Sequence, residues 1–458
     1  MNDKELPANQ RHLAVLAILM GTFLSNLDAS IANIALPVIS RELITSASDA
    51  IWVVNAYQLV LAITILPLAA IGELIGYKKI FLAGMCIFII GSLACFEADT
   101  IMQLVLARIL QGLGGGGLAT MGPALIRSVF PVKLTSRGIA LLGLTVAIST
   151  SAGPSIASLI LELSNWRWFF GINIPLGIII SIIAYFNLPS NTTTKRDFDL
   201  RGMFYSGVAI SLFIIGLGNI GSGDPSLNFT PWIELTIALF TFFLLLNHEK
   251  KCVSPLIPID LFKIRIFSLS VTTSIFAYCA QTLAYVSLPF LLGNQYHRSS
   301  AIIGILMTPW PPIIVFIAPI AGRLNEKINP GILCSIGMGI LSLALFSLYL
   351  MPFDSNNISI GLCLTFCGIG FGFFQTPNNF LLLTSGPRER GGSASGMMSM
   401  SRLIGTTVGA ALAIFSISIF PENGFLYSIA FASFVASIGF FNSLIRLKSK
   451  LFQVIPVE

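Results

Sequence analysis

Charged side chains are scarce in this chain and make up only 10% of its 458 residues. A soluble domain carries roughly 25% charged residues, so a chain of several soluble domains is excluded. Hydrophobic residues account for 55% of the sequence, and they stand in long runs separated by short polar breaks. This pattern predicts an all-α integral membrane protein.

Patterns for metal binding and cofactor binding are also missing. The seven cysteines form no CxxC pair, and the three histidines, His12, His248 and His297, lie far apart in predicted loops. We therefore expect no metal site and no cofactor. Residues 112–117 match the G-x-G-x-x-G pattern of dinucleotide-binding loops, but they lie inside an apolar run with no predicted strand before it. We expect these glycines to let helices pack closely instead.

The first apolar run starts at Leu13, contains Asp28 and is not followed by an Ala-x-Ala cleavage pattern. We therefore expect it to be a transmembrane span rather than a cleaved leader. Similar runs recur along the chain and predict about fourteen transmembrane helices. Their predicted bounds are 13–36, 51–71, 80–96, 101–125, 138–161, 168–188, 202–219, 232–247, 267–292, 301–321, 332–351, 357–383, 394–420 and 424–445.

Basic residues are distributed unevenly between the two sides of this predicted topology. With the N-terminus inside, only Arg41, Arg167 and Arg298 of the 26 Lys and Arg residues fall on the outer side, and Arg108 and Arg402 fall within spans. Membrane proteins retain positive charge on the cytoplasmic side. We therefore expect both termini in the cytoplasm, and the net charge of +6 calls for no nucleic-acid partner.

Two loops of similar sequence indicate an internal duplication. The loop after predicted span two contains Glu73 and Lys78, and the loop after predicted span ten contains Glu326 and Lys327. The two loops occupy equivalent positions if spans seven and eight are an insert, which gives six plus two plus six helices. The predicted segments are a cytoplasmic N-terminus (1–12), a six-helix bundle (13–188), cytoplasmic linkers with two extra helices (189–266), a second six-helix bundle (267–445) and a cytoplasmic tail (446–458).

Three ionisable side chains fall well inside predicted spans: Asp28, Arg108 and Arg402. A charge at such depth costs about 2.5–3.5 kcal/mol on insertion scales, so its presence needs a reason. Asp28 and Arg108 lie roughly 12 Å and 11 Å from the outer surface, and we expect them to face a common cavity and interact. The cation favours an ionised carboxylate and desolvation opposes it, so a changing balance would load and release a proton. The alternative is a static ion pair that holds the bundle together.

Two further polar residues have roles that the sequence leaves open. Gln111 lies on the same helix face as Arg108, where it holds the guanidinium, contacts substrate or simply packs between helices. Arg402 lies roughly 12 Å from the inner end of predicted span thirteen. Four roles are open for Arg402: binding an anionic group, interacting with a helix C-terminus, closing an inner gate, or a structural role.

Aromatic and amide side chains are frequent in the second predicted bundle, whose six spans contain no carboxylate. Such groups suit amphipathic or weakly cationic ligands, although packing against lipid or neighbouring helices explains the same residues. The candidates for a substrate cavity, with one residue of the first span added, are Asn33, Gln281, Tyr285, Trp310, Phe374, Gln375, Asn378, Asn379 and Arg402.

Several segments resemble the major facilitator superfamily, and specifically its fourteen-span drug:proton antiporters. They are residues 27–37 (LDASIANIALP), 108–112 (RILQG), 149–158, 166–175 and 368–379, together with the loops of Glu73 and Glu326. Residues 149–158, with Gly153 and Pro154, resemble the fifth-helix antiporter motif. The first loop departs from the family pattern at Ala69, in place of a leading Gly, and at Leu74, in place of an Arg.

The resemblance implies two six-helix bundles plus two central helices, and proton-driven export of small amphipathic or cationic compounds by alternating access. It also implies that Arg108 and Gln111 take part, and that the two loops with their acids and bases act as gates. Two alternatives are a dedicated exporter of one metabolite, such as a siderophore or polyamine, and a uniporter or importer.

The expected partners are a small-molecule substrate, protons and the lipid bilayer. The expected location is the cell inner (plasma) membrane, with the protein a monomer, either alone or with a periplasmic adaptor. We predict no enzymatic activity, because no constellation of nucleophile, base and metal stands out and no soluble segment is large enough to hold one.

Overall fold

The computed structural model describes residues 7–447, apart from 46, 132–133, 191–197, 220–228, 251, 253–257, 299, 388–389 and 421–422. Every regular element within these residues is a helix. In chain order the helices are α1 (Ala8–Glu42), α2 (Ala47–Ile75), α3 (Tyr77–Phe96), α4 (Ile101–Val129), α5 (Thr135–Leu163), α6 (Trp168–Gly171), α7 (Asn173–Asn187), α8 (Leu200–Asn219), α9 (Thr230–Glu249), α10 (Ile259–Phe262), α11 (Arg265–Asn294), α12 (Ser300–Met307), α13 (Trp310–Leu324), α14 (Pro330–Tyr349), α15 (Asn357–Thr384), α16 (Gly391–Ile419) and α17 (Gly424–Leu447).

Polar caps mark where several of these helices begin. At α4 the Thr100 hydroxyl accepts a hydrogen bond from the Gln103 N–H, and the Gln103 side chain accepts one from the Thr100 N–H in return. At α14 the Asn329 side chain accepts from the Gly331 N–H, with Pro330 in the first helical position. These caps satisfy N–H groups that have no partner inside the helix, so the polar breaks in the sequence become helix ends.

Twelve helices in the described part of the chain are long and apolar enough to cross a membrane. They include α8 and α9, the two helices of the predicted insert. The predicted count of fourteen is not confirmed by this criterion. Over the described residues α5 provides only a shorter apolar segment, Thr135–Val146, and α16 is not among the twelve. The chain is thus a multi-pass helical membrane protein.

The helices form two compact units. Unit 1 comprises Met1–Gly207, His248–Ile257 and Pro387–Ser399. Within it, α2 and α3 pack on α4, and α1 packs on α5 and α7. The charged residues predicted in the first and fourth spans therefore lie on helices of one unit.

Unit 2 comprises Val208–Asn247, Pro258–Gly386 and Met400–Glu458. Within it, α14 packs on α15 and α17, α11 packs on α17, and α13 packs on α15. The predicted division into two six-helix bundles, linkers and an insert stays a prediction.

Close backbone approaches between glycines recur at corresponding positions of the two units. In unit 1 a Cβ atom on Gly84 of α3 would lie 3.0 Å from the Gly114 carbonyl oxygen of α4. In unit 2 a Cβ atom on Gly337 of α14 would lie 2.6 Å from the Gly370 carbonyl oxygen of α15. The sequence separation from Gly84 to Gly337 equals that between the acids of the two similar loops. The repeated packing is consistent with the predicted duplication.

Candidate functional site

The two charges predicted to meet inside unit 1 do meet. Asp28 on α1 and Arg108 on α4 form an ion pair, with Arg108 Nη1 2.5 Å from Asp28 Oδ2. Asp28 is 3% exposed and Arg108 is fully buried. Arg108 Nε also donates a hydrogen bond to the Val53 carbonyl oxygen of α2 at 2.9 Å. Helices α1 and α2 therefore hold a guanidinium that α4 supplies.

Amide side chains complete the shell around the carboxylate. Gln111 Nε2 donates to Asp28 Oδ1 at 2.9 Å and to Ser92 Oγ at 2.8 Å, while Gln111 Oε1 accepts from Arg108 Nη1 at 2.5 Å. Asn173 Nδ2 of α7 donates to the same Asp28 oxygen at 2.8 Å. A buried carboxylate is tolerated when it is paired and its oxygens accept hydrogen bonds, and Asp28 meets both conditions.

Aromatic rings cover the cation. The Arg108 guanidinium carbon lies 4.1 Å from the centre of the Tyr57 ring and 5.6 Å from that of Phe170. The Tyr57 hydroxyl lies 3.1 Å from Ser25 Oγ on α1, so the ring is fixed between α1 and α4. Desolvated cation–π contacts of this kind stabilise a charge by about 2 kcal/mol.

Glycines in α3 and α4 allow this convergence. A Cβ atom on Gly91 would lie 2.7 Å from the Gln111 backbone nitrogen, and one on Gly112 would lie 2.7 Å from the Tyr57 carbonyl oxygen. Real Cβ atoms do not approach so closely, so a larger residue at either position would push the helices apart. The glycine run of α4 thus acts in close helix packing, as predicted from the sequence.

A second buried ion pair lies at the end of α2 in unit 1. Arg390 Nη1 donates to Glu73 Oε2 at 3.0 Å, and the Ser393 N–H in the first turn of α16 donates to Glu73 Oε1 at 2.6 Å. The neighbouring Gly392 N–H donates to the Tyr77 hydroxyl at 2.8 Å. A carboxylate at a helix N-terminus is favoured by the helix dipole as well as by these donors.

The other loop and motif residues lie in varied surroundings. Lys78 lies over the Tyr185 ring at 5.5 Å, and Glu326 and Lys327 are exposed. Gly153 is buried beside Ser30 of α1, whose side chain a Cβ atom there would overlap. The side chains of Asn33 and Pro154 lie outside the described residues.

Two of the predicted cavity residues of unit 2 contact each other, and a third is hydrogen-bonded to a residue that was not predicted. The Tyr285 and Trp310 rings contact edge to face with centroids 5.4 Å apart. Gln375 Nε2 donates to the Tyr278 hydroxyl at 3.0 Å. Gln281, Asn379 and Arg402 are half-buried. Phe374 is buried, and its ring contacts Phe371 with centroids 5.7 Å apart.

Asn378 belongs to a network that the sequence reading missed. It accepts a hydrogen bond from Arg446 Nη1 at 2.7 Å, and its Nδ2 donates to Ser274 Oγ at 2.8 Å. Arg446 had been counted with the basic cytoplasmic tail, but it is fully buried near the end of α17 and also donates to Ser270 at 2.8 Å. A single arginine after an apolar run gives no sign that its helix end is packed.

Unit 2 also contains an apolar cavity of about 350 Å³ between α8, α9 and α16. Phe213, Leu235, Phe242, Met400 and Leu403 are among its lining residues. Within the described part of the chain, none of the predicted cavity residues lines it, so it is separate from the polar candidates.

Several members of the carboxylate and ion-pair sites were not predicted. Asn173 stands in a segment that was noted only as part of a motif, and Tyr57 and Ser92 lie in apolar runs without a distinguishing pattern. Arg390 lies in the polar break between predicted spans twelve and thirteen, where a basic residue is unremarkable. The one usable signal was the presence of a polar residue inside a predicted span. It identified the charged residues Asp28 and Arg108 but not the uncharged hydrogen-bond donors around them.

With this arrangement in view, comparison with known proteins defines the class. Residues 18–410 match the profile of the Major Facilitator Superfamily. The chain belongs to this family, and it is therefore a secondary membrane transporter rather than an enzyme.

Individual relatives extend over most of the chain. It is 40% identical over 435 residues to the uncharacterized transporter YebQ of Escherichia coli, covering 94% of this chain and 95% of that protein. It is 30% identical over 404 residues to the riboflavin transporter RibZ of Clostridioides difficile, covering 88% and 87%. The multidrug resistance protein Stp of Mycobacterium tuberculosis is 29% identical over 407 residues, covering 87% and 74%.

A solved structure supports the fold. The human organic anion transporter MFSD10 (TETRAN) superposes with a TM-score of 0.65 at 13% sequence identity, covering 96% of this chain and all of that one. At this identity the likeness concerns the all-helical fold alone.

Proposed function

We propose that the protein is a proton-coupled antiporter that exports small amphipathic or cationic compounds by alternating access. The observation that carries the proposal is Asp28, a carboxylate buried within a membrane-crossing helix of unit 1. A buried charge in a membrane helix is expensive and marks a proton or ion pathway more often than a neutral packing position. In this proposal Asp28 is the group that carries the coupled proton.

The contacts of Asp28 suggest how the proton is exchanged. Arg108, Gln111 and Asn173 together hold the ionised carboxylate. When helix movement withdraws Arg108, the unpaired carboxylate becomes costly and takes up a proton. When Arg108 returns, the proton is released. Gln111 is hydrogen-bonded to both Arg108 and Asp28, and it keeps the two side chains aligned during the exchange.

Glu73 and Arg390 supply the proposed gate. Their ion pair, with the Ser393 N–H, joins the end of α2 to the beginning of α16. We propose that these bonds form in one state of the transport cycle and break in the other. The substrate pathway then opens alternately to the two sides of the membrane. In the second loop Glu326 and Lys327 are exposed, so the gate is assigned to the Glu73–Arg390 pair.

The topology proposed here has fourteen spans. The helices α5 and α16, each 29 residues long, complete the twelve apolar ones. The insert of α8 and α9 then separates two six-helix bundles, and both termini lie in the cytoplasm of a cell whose inner (plasma) membrane holds the protein.

Substrate class and direction rest on resemblance and on the polar candidates. The multidrug resistance protein Stp and the fifth-helix motif with Gly153 favour export of drug-like compounds. Tyr285, Trp310, Gln375 and Arg402 are proposed as cavity residues that bind aromatic or amphipathic substrates through ring and amide contacts.

A second candidate function is dedicated transport of one metabolite. The observation that favours it is the 30% identity to the riboflavin transporter of C. difficile, which covers most of both chains. In this alternative the aromatic pair Tyr285 and Trp310 stacks on a planar metabolite rather than on varied drugs.

The decisive experiment measures ΔpH-driven efflux in proteoliposomes with purified Asp28→Asn and Asp28→Glu variants. We expect Asp28→Asn to lose proton-driven efflux but to keep substrate exchange in the absence of a gradient, and Asp28→Glu to keep part of both. The exchange assay shows that the Asn variant is folded. Full proton-driven efflux by Asp28→Asn would refute the proton-carrier role, and a panel of dyes and planar metabolites separates the two candidate functions.

A further inference from the structure

Three residues of different donor chemistry converge beside the two insert helices. Asp199 immediately precedes α8, His248 lies in the last turn of α9, and Cys252 follows that helix. Their ligating atoms all lie within 4.8 Å of one another. His248 Nε2 lies 2.9 Å from Asp199 Oδ1 and 3.0 Å from Oδ2, and the Cys252 thiol is hydrogen-bonded to Asp199.

The donor set of one imidazole nitrogen, one carboxylate oxygen and one thiol sulfur matches a borderline transition metal. Calcium and magnesium prefer oxygen ligands alone, and Cu(I) prefers sulfur, whereas Zn²⁺ binds N, O and S ligands in tetrahedral geometry. With Zn²⁺ bonds of about 2.0–2.3 Å, tetrahedral ligand atoms stand roughly 3.3–3.8 Å apart. Atoms already within 4.8 Å of one another reach this geometry by side-chain rotation.

The carboxylate is held in position. The Gly202 N–H donates to Asp199 Oδ1 at 2.9 Å, and Asp199 is 8% exposed. His248 also packs edge to face against the Tyr205 ring, with centroids 5.9 Å apart, which fixes the imidazole.

A candidate for the fourth ligand lies beside the cluster. A Cβ atom on Gly202 would overlap the Asp199 carboxylate and would lie 3.2 Å from Glu249 Oε1, so a second carboxylate stands beside the cluster. The side chain of His248 is 26% exposed, which leaves an entry path for an ion and a water molecule.

We propose that Asp199, His248 and Cys252 bind one Zn²⁺ ion, which ties the beginning of α8 to the end of α9. This reverses the expectation of no metal site drawn from the sequence, where the first two ligands stand 49 positions apart. The ion would replace the His248–Asp199 hydrogen bond and fix both ends of the insert. The inference is independent of which compound the transporter carries.

The test uses the full-length protein, purified in detergent with its affinity tag removed, and Co²⁺ as a spectroscopic probe for Zn²⁺. We expect one tightly bound Co²⁺ per chain with tetrahedral ligand-field bands and a thiolate-to-cobalt charge-transfer band, displaced by Zn²⁺. Cys252→Ser should lose the charge-transfer band, and His248→Gln should bind at least about 10-fold more weakly. Zn²⁺ should also raise the thermal unfolding temperature of the wild type but not of His248→Gln.

Matched controls are available elsewhere in the chain. Cys86→Ser removes an exposed cysteine and His297→Gln removes another histidine, and both should bind the metal as the wild type does. Glu249→Gln tells whether the fourth ligand is that carboxylate or water, since only loss of a carboxylate ligand weakens binding. The proposal is overturned if the wild type binds no stoichiometric Co²⁺, or if Cys252→Ser and His248→Gln bind it unchanged.

Discussion

The Nη1 atom of Arg108 lies 2.5 Å from Oδ2 of Asp28, and the exposed fractions of the two side chains are 0% and 1%. This ion pair therefore has no solvent to screen it or to replace a lost partner. Removing one member of a buried pair leaves an uncompensated charge and costs about 3–5 kcal/mol. The pair thus has a structural value that any experiment on proton coupling must separate from its role in transport.

The first prediction separates stability from coupling. Arg108→Met should destabilise the protein by about 3–5 kcal/mol, and the double variant Asp28→Asn with Arg108→Met should recover part of that loss because no charge is left unpaired. Thermal unfolding in detergent measures both. Proton-driven efflux should stay absent in the double variant, since it has no titratable group at this site.

A matched control breaks an ion pair that solvent reaches. Arg167 lies 3.1 Å from Asp99, but their side chains are 27% and 83% exposed. Asp99→Asn, which leaves the contacts of Arg167 with the Ala98 carbonyl oxygen and the Trp166 ring in place, should change stability by less than about 1 kcal/mol. If the double variant at the buried pair regains proton-driven efflux, the pair is a static structural element and the coupled proton is carried elsewhere.

The charges of the buried site could be predicted because membrane spans make polarity conspicuous. Asp28 and Arg108 stand out in apolar runs, and the equal depth of the two residues in antiparallel helices predicted their contact. Asn173 and Ser92 could not be found in this way, because amides and hydroxyls are common in spans and usually bond to their own helix. Their role depends on a convergence of α3 and α7 that sequence spacing does not encode.

The second prediction concerns the Glu73–Arg390 pair. Glu73→Gln and Arg390→Gln should each lower the initial rate of efflux by at least about 10-fold, since a charged hydrogen bond contributes about 1.5–3 kcal/mol to the state that contains it. Because both changes remove the same bond, the double variant should be no slower than the slower single variant. Rates in proteoliposomes with equal protein content give the comparison.

The control for this gate is the similar loop in unit 2. Glu326 is exposed, so Glu326→Gln should leave the efflux rate within about twofold of the wild type. Multiplicative losses in the double variant would mean that Glu73 and Arg390 act separately, which contradicts a shared gate.

The third prediction tests the close packing of α3 and α4. A Cβ atom on Gly114 would lie 2.6 Å from the Gly84 carbonyl oxygen, and backbone cannot move aside as a side chain can. Gly114→Ala should therefore destabilise the protein by about 1–3 kcal/mol. Gly207→Ala is the matched control: nothing lies within 4 Å of its Cβ position, so alanine should be neutral or stabilise α8 by about 0.5–1 kcal/mol.

These glycines also show where duplication helps prediction. The two similar loops predicted an internal duplication but no particular packing, and in the structure Gly337 and Gly370 approach as Gly84 and Gly114 do. The His248 and Asp199 contact has no counterpart in any repeat or motif of the sequence. It arises because two linkers meet at the same end of the insert helices. This proximity is visible only in the three-dimensional structure.

The last prediction addresses the proposed substrate cavity. The Trp310 ring contacts Tyr285, and within the described residues its Nε1–H has no acceptor, which leaves a donor for a ligand. Trp310→Leu should weaken binding of a cationic aromatic dye about 2- to 30-fold, because a cation–π contact contributes about 0.5–2 kcal/mol. Fluorescence polarisation of the dye measures the affinity.

Phe353→Leu is the control, since Phe353 pairs with Tyr296 at 5.3 Å but lies outside the candidate residues. Equal losses in the two variants would show that Trp310 supports the fold and not the ligand, whereas a loss confined to Trp310→Leu, with ΔpH coupling retained, places the substrate against this ring.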